Sequence, residues 1–452
     1  MLKNLHKLLL SLSAPFLLGC DSFLDEKPDQ KLVIPSTLTD LQALLNETDL
    51  MNHQVPNAGE ISADNYYLTD ADWAALPREQ DRHLYVWAGE NVFPPQVNDW
   101  NYNFMPVYVA NTVLEQLASL PRTPANSLDW DDVKGQALYY RGHHFLQGAL
   151  LWAPAYDART ASADLGIPLR LGTDFNVPSV RASVQQTYDR IVADLREAAA
   201  LLPTKRLHPT RPYRVSAHAL LARTFLAMGD YRQAALYADS CLQRQSALLD
   251  YNTLDLSAAY PVPQYNPEVI TEHFAFGVNP ALQESLARID PALYASYAPE
   301  DLRRAVFFRP NGDGSFAFRG SYGGGAPFAG TATDELYLIR AEAHARLGNV
   351  PEAMQDLNTL LVTRWRAGTF VPLTAAGPEE ALAHILRERR KELVLRNLRW
   401  MDLKRLNREG ANITLSRTVQ GRVYTLPPND PRYALPLPDD VVALSGMPQN
   451  PR

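Results

Sequence analysis

Residues 333–364, TDELYLIRAEAHARLGNVPEAMQDLNTLLVTR, restrict the fold of this chain more than any other stretch. Leu336, Ile339, Ala343 and Leu347 recur at helical spacing and form one apolar stripe. Gly348 then stops the helix, because glycine enters the left-handed C-cap conformation without penalty. Asn349 is placed to cap a second helix, with Glu352 three residues on to complete a capping box and Pro351 tolerated in the first turn. Ala353, Leu357 and Leu360 carry the second stripe. Small side chains at Ala341 and Ala353 let the two helices approach closely. The spacing therefore predicts an antiparallel two-helix hairpin.

This is the layout of a tetratricopeptide-type hairpin. Residues 215–243 repeat it, with Ala222 as the small contact residue, Gly229 in the turn, Asp230 and Gln233 as a capping pair, and Ala234, Ala238 and Cys241 on the packed face. The two turn glycines are 119 residues apart, far from a repeat of about 34. Large insertions must separate the hairpins, and a regular solenoid is the wrong picture. Helical patterns are also read at Leu38–Leu45 (capped by Thr37 or Thr39), 100–120, Ala137 to Trp152, 381–398 and 401–407. Tyr188, Ile191, Leu195, Ala198 and Leu202 form another stripe. Residues 51–99 show little periodicity but hold many aromatics, which argues for an ordered loop region. Residues 153–184 and 250–330 read as insertions, with a strand at 316–319 and a glycine turn at 323–325. Another strand is expected at Arg422–Leu426, in an extended tail.

The N-terminus has its own logic. Lys3, His6 and Lys7 precede an apolar run from Leu8 to Leu18, which is a secretory signal too short to span a bilayer. It ends at Leu17-Leu18-Gly19-Cys20 and resembles the lipobox of a bacterial lipoprotein, with Cys20 acylated after residues 1–20 are removed. The plainer reading is a signal with a chance cysteine. The chain has only two cysteines, and one of them stands at this position. Residues 21–31 are polar and acidic, as expected of a flexible tether. Cys241 is left alone on a helical pattern, as a buried small hydrophobe. Net charge is −7, which argues against nucleic-acid binding.

Catalytic signatures are missing: the chain has no GxSxG, HExxH, phosphate loop or CxxC. Residues 311–315 have a calcium-loop flavour, but the twelfth position is Tyr322 where an EF-hand needs Glu. His143 and His144 are adjacent on a helix and cannot share a metal. The acid pairs Asp131-Asp132, Glu379-Glu380 and Asp439-Asp440 suit helix starts or turns. Glu388 and Glu392 share a helix face, and Arg389, Arg399 and Asp402 could close an ion-pair network with them. Such a network is expected to be structural. The remaining chemistry is aromatic. Trp73, Trp87, Trp100, Tyr66 and Tyr102, with Asp64, Asn65 and Asn101 as polar partners, are candidates for stacking on sugar rings. The competing reading packs each of them in the core.

Taken together, these stretches resemble the SusD/RagB family of outer-membrane nutrient-binding lipoproteins. The residues that carry the resemblance are the lipobox through Cys20, Asp164-Leu165-Gly166-Ile167-Pro168-Leu169-Arg170, and the run 178–184 leading into Tyr188-Asp189-Arg190-Ile191. The helix 217–226, the hairpin 334–364, the 388–406 motif and the closing Gln449-Asn450-Pro451-Arg452 complete it. The resemblance implies a mainly α fold, in which tetratricopeptide-like hairpins form an α-α superhelical scaffold decorated by long loops and short strands. It implies a single domain over 32–452, with an N-terminal helical part at about 32–250 and a C-terminal part at about 265–452. It also implies an outer-membrane lipid anchor facing the exterior, a SusC-like TonB-dependent transporter as partner, an oligosaccharide or peptide as ligand, no cofactor and no catalysis. Asp21, Asp25 and Glu26 resemble acidic surface-export signals.

Overall fold

A computed structural model describes residues 35–277 and 279–452. The signal, Cys20, the tether and its acids lie outside the described residues.

The principal helices are α1 (Leu38–Leu45), α2 (Asp99–Ser119), α3 (Ser127–Trp152), α4 (Val184–Leu201), α5 (Arg214–Met228), α6 (Tyr231–Leu242), α7 (Thr333–Arg346), α8 (Val350–Leu361), α9 (Pro378–Glu392) and α10 (Arg399–Arg408). The chain is mainly α. Several helices start where a side chain satisfies their free N–H groups. Thr37 and Asp40 form a capping box before α1, and Ser183 and Gln186 form one before α4. Asn98 accepts from the N–H groups of Trp100 and Asn101 at 2.9 and 3.2 Å to open α2.

From α2 to α8 each helix packs on the next. Thus α6 lies directly against α7, although some ninety residues of chain separate them. The two hairpins are separated along the chain by the expected insertion and are neighbours in space. A two-helix unit has one apolar face too many and buries it only by stacking on another. Helices α3 and α4 meet through small residues: a Cβ added at Gly135 would stand 2.9 Å from Leu202, and one at Gly142 would stand 3.0 Å from Leu195.

Several local expectations are corrected. Helix α3 begins ten residues before Ala137 and is buried on all sides from Gly135 to Trp152, so its sequence shows no single stripe. Leu347 is 42% exposed, at the end of the expected stripe. Asn349 makes no side-chain cap to α8, and the capping box with Glu352 does not form; Pro351 occupies the first turn instead. Helix α9 stops at Glu392, short of 398, because Leu395 and Asn397 turn into the left-handed region at φ 54° and 59°. Asp131 and Asp132 lie inside α3, where they pair with Arg122 and Arg211. Residues 51–99 are not simple loop. They hold the short helices Ala58–Ser62, Asp70–Ala74 and Glu79–Tyr85 and are largely buried.

Among the described residues the strands form five antiparallel pairs. Tyr66–Tyr67 with Arg288–Ile289 ties the aromatic-rich N-terminal region to the 250–330 insertion. Val269–Thr271 with Thr331–Ala332 closes the insertion just before α7. Phe308–Pro310 pairs with Phe316–Phe318 around the 311–315 turn, and Leu415–Val419 with Arg422–Leu426 around Gln420-Gly421. The insertion has its own core, including Tyr251, Phe274, Phe307, Tyr322 and Phe328, and the chain after α9 adds Val394 and Leu395 to it.

Candidate ligand-binding face

The aromatics expected to stack on ligand are mostly spent inside the fold. Tyr66 and Trp87 are 3% and 4% exposed. Together with Tyr85 they enclose the Arg417 guanidinium, at 5.4 Å for Tyr66, 3.8 Å for Tyr85 and 4.7 Å for Trp87. Arg417 also donates to the carbonyls of Ile61 and Ala63 at 2.9 and 2.6 Å. Such a cage satisfies a buried cation through ring quadrupoles and backbone dipoles. No sequence signal singles out Arg417, which sits on a strand 330 residues from Trp87.

Trp100 belongs to a different cluster, 4.4 Å from Phe104 and 4.9 Å from Trp152. Trp73 leans on the core and donates from Nε1 to the Arg82 carbonyl at 3.3 Å. Asn65 is buried and donates to Glu60 at 2.8 Å. Asp64 is clamped by Arg399 at 2.7 and 3.0 Å and by Arg390 at 3.2 Å. Burial opposes ionisation of Asp64, but Arg399 and then Arg390 outweigh it and hold the carboxyl at about 2. Tyr102 stays half-buried and Asn101 exposed. These residues do not converge on one open face.

The 388–406 motif also resolves differently from expectation. Glu388 and Glu392 pair with Arg303 of the insertion at 2.5 and 2.9 Å, and Glu392 pairs with Arg364 at 2.7 Å. Arg389 goes to Asp402 at 2.9 Å and Arg399 to Asp64. Arg364 reaches Glu268 at 2.6 Å, while Lys391 bridges Asp301 and Glu388. This network is buried and fastens the insertion to α9. It offers no open approach for a substrate.

Besides Tyr108 and Phe175, which are 51% and 90% exposed, the aromatic rings with free faces lie on the insertion. Tyr260 is 37%, Tyr265 40% and Phe276 49% exposed. Phe274, which is buried, packs against Phe276. His53 packs 5.3 Å from Phe274 and 5.6 Å from Phe276, and the two phenylalanines are 6.0 Å apart. Across Phe274 runs the 323–325 turn. A Cβ at Gly323 would fall 2.0 Å from the Phe274 ring, and one at Gly325 would fall 3.1 Å from the Tyr260 hydroxyl. At Gly323 only bare backbone fits against the Phe274 ring.

Polar groups border the rings. The Tyr260 hydroxyl donates to Glu284 at 3.0 Å, and Glu284 also holds Arg309 at 2.7 Å. Gln264 donates to Glu272 at 2.9 Å, and the other Glu272 oxygen lies 3.8 Å from His53 Nε2. Glu272 and, less strongly, Asp49 hold the His53 imidazole above its usual range. Tyr265 stands edge-on to His208 at 4.9 Å. Its backbone is left-handed at φ 56°, a conformation that costs a non-glycine residue energy and that tertiary contacts must impose. Open ring faces rimmed by carboxylate, amide and imidazole groups suit a ligand with apolar C–H faces and many hydroxyls.

Residues 22–226 match a family model described as SusD-like and as starch-binding associating with outer membrane, and residues 333–451 match the SusD family model. The chain belongs to the SusD/RagB family. Solved SusD structures share its fold at low identity. A SusD superfamily protein from Bacteroides thetaiotaomicron VPI-5482 is 20% identical, with a TM-score of 0.76, over 92% of this chain and 100% of that one. A SusD superfamily protein from Bacteroides fragilis is 17% identical, with a TM-score of 0.72, over 91% and 99%. A SusD-like carbohydrate binding protein from Bacteroides vulgatus ATCC 8482 is 20% identical, with a TM-score of 0.67, over 91% and 96%. No curated protein sequence matches the chain significantly. Among the described residues of this SusD-family protein, no helix is long and apolar enough to cross a membrane.

Proposed function

We propose that this protein is a surface lipoprotein of the outer membrane that captures an oligosaccharide and passes it to a SusC-like TonB-dependent transporter. The observation that carries the reading is the open aromatic face of Tyr260, Tyr265 and Phe276, raised on the insertion of a SusD-family scaffold. The family model's starch-binding description and the carbohydrate-binding neighbour from Bacteroides vulgatus support the ligand class. Cys20 supplies the anchor, and residues 32–452 act as one unit on it. The rival reading is a tetratricopeptide scaffold that binds protein segments in an open hairpin groove. Against it, the stripes of α5 to α8 are spent on one another: Leu336, Ile339, Leu357 and Leu360 are all fully buried.

Glycan-array binding and calorimetry on the purified lipoprotein, with co-purification from its host, test this function. Tyr265→Ala and Phe276→Ala should each lower oligosaccharide affinity about tenfold, equivalent to about 1.4 kcal/mol. Unchanged affinity in both variants, or binding to peptides alone, would remove the aromatic face from the reading.

A further inference from the structure

A second cleft of about 270 Å³ opens just beyond the α3 C-terminus, and no residue of the insertion lines it. Three segments build it. Helix α10 contributes Lys404 and Arg408 one turn apart, the turn after α3 contributes Asp157, Thr160 and Asp164, and the chain before the C-terminal helix contributes Tyr433. Lys404 is 5% exposed and donates to the Leu150 and Ala153 carbonyls at 2.7 and 2.6 Å. An ammonium has three donors, so one N–H of this cleft-lining side chain is left over. Arg408 is tied to Asp157, which also accepts from Arg159 at 3.0 Å. Thr160 donates to Asp164 at 2.6 Å. Pro154 and Pro431 give an apolar wall, and Asp430 at the rim holds Arg432 at 2.8 Å.

The charges decide the ligand class. Asp157 and Asp430 are each matched by an arginine, and Asp164 by a hydroxyl. A free anion entering here would meet three carboxylates, and a free cation would meet Lys404 and Arg408. A neutral molecule with donors and acceptors on every side conflicts with neither set. The carboxylates have lone pairs to accept from its hydroxyls, and Lys404 and Arg408 have N–H groups to donate. The volume lies just under the roughly 300–1,000 Å³ of pockets for drug-sized ligands, which suits one ring and not a chain of rings.

We infer that this cleft is a second binding site, for a single neutral sugar ring or polyol of similar size. The inference rests on the carbohydrate reading above for its ligand class, but it uses none of the aromatic face. The site would hold a terminal residue or a released monosaccharide while a longer chain occupies the insertion.

Saturation-transfer NMR on the purified lipoprotein in a detergent without a sugar headgroup, probed with glucose, galactose, xylose and glycerol, tests it. At least one probe should receive saturation. That signal should persist in Tyr265→Ala and Phe276→Ala and fall at least about tenfold in Thr160→Val and Arg408→Gln. Thr160 and Arg408 are exposed, so these variants should keep the parent's thermal midpoint, and that is measured alongside. Saturation of none of the four probes would overturn the second site. So would a signal lost in the aromatic variants and kept in the cleft variants. Oligosaccharide binding by the parent is read separately, so failure of the cleft and failure of the proposed function give different results.

Discussion

Charged residues that resemble an active site serve here as buried fastening. The network around Arg303, Arg364, Lys391 and Arg396 meets Glu268, Asp301, Asp334, Glu388 and Glu392, one carboxylate more than it has cations. Burial pushes the Glu268 carboxyl up, while Arg396 and then Arg364, working against burial, hold Asp334 down. The Tyr322 hydroxyl lies between those two acids. Arg364→Met leaves the buried Glu268 with no cation beside it and takes away one of the two arginines on Glu392, and should lower stability by about 3–5 kcal/mol in urea denaturation. Glu388→Gln should act in the same direction. The histidines give a second test. His143 stacks 4.1 Å from His273 and lies 5.0 Å from His144, and all three are fully buried. Burial holds His143 and His273 well below the ordinary value, and His144 at about 3. The unfolded chain therefore binds protons near pH 6.5 that the folded chain refuses. Their contribution to stability is complete above about pH 6.5 and is lost as pH falls below it. Measured from pH 7 to 5, the midpoint of denaturation should fall less steeply in His143→Leu than in the parent. Equal slopes would show that these rings do not set the acid limit.

At the scale of elements, the two hairpins turn on glycines with the same geometry. Gly229 and Gly348 have φ of 74° and 84°, and nothing lies within 4 Å of a Cβ built at either. An alanine there would meet no clash, only the left-handed penalty of about 1–2 kcal/mol. Gly229→Ala and Gly348→Ala should therefore cost about the same in thermal denaturation. A much larger loss at one site would mean that its turn carries packing as well as conformation. Both turns are legible in the sequence, because glycine between two helical stripes has a backbone reason. The end of α9 is not. Leu395 is driven left-handed by the insertion core that it fills, a contact made with residues about a hundred positions away.

For the whole molecule, the array from α2 to α8 is scaffold, and the insertion is the part raised from it. Cys20→Ala should leave the denaturation curve of the chain unchanged and abolish both fatty-acid labelling and membrane association. One acyl chain binds a bilayer only marginally, so the proposed anchor would need more than one chain on Cys20 for stable attachment. Persistent labelling in that variant would refute the lipid anchor.

Sequence alone determined the helical class, the two hairpins with their turns, the short helix Leu38–Leu45, and the strand Arg422–Leu426. Each of these depends on residues within a few positions of one another. Only the tertiary structure decided that α6 stacks on α7, that Arg417 takes up Tyr66 and Trp87, and that Glu388 answers to Arg303. It also decided which aromatics keep an open face. An aromatic side chain has the same composition whether it lies against a guanidinium or toward water. The outcome is set by partners hundreds of residues away, which local periodicity does not record.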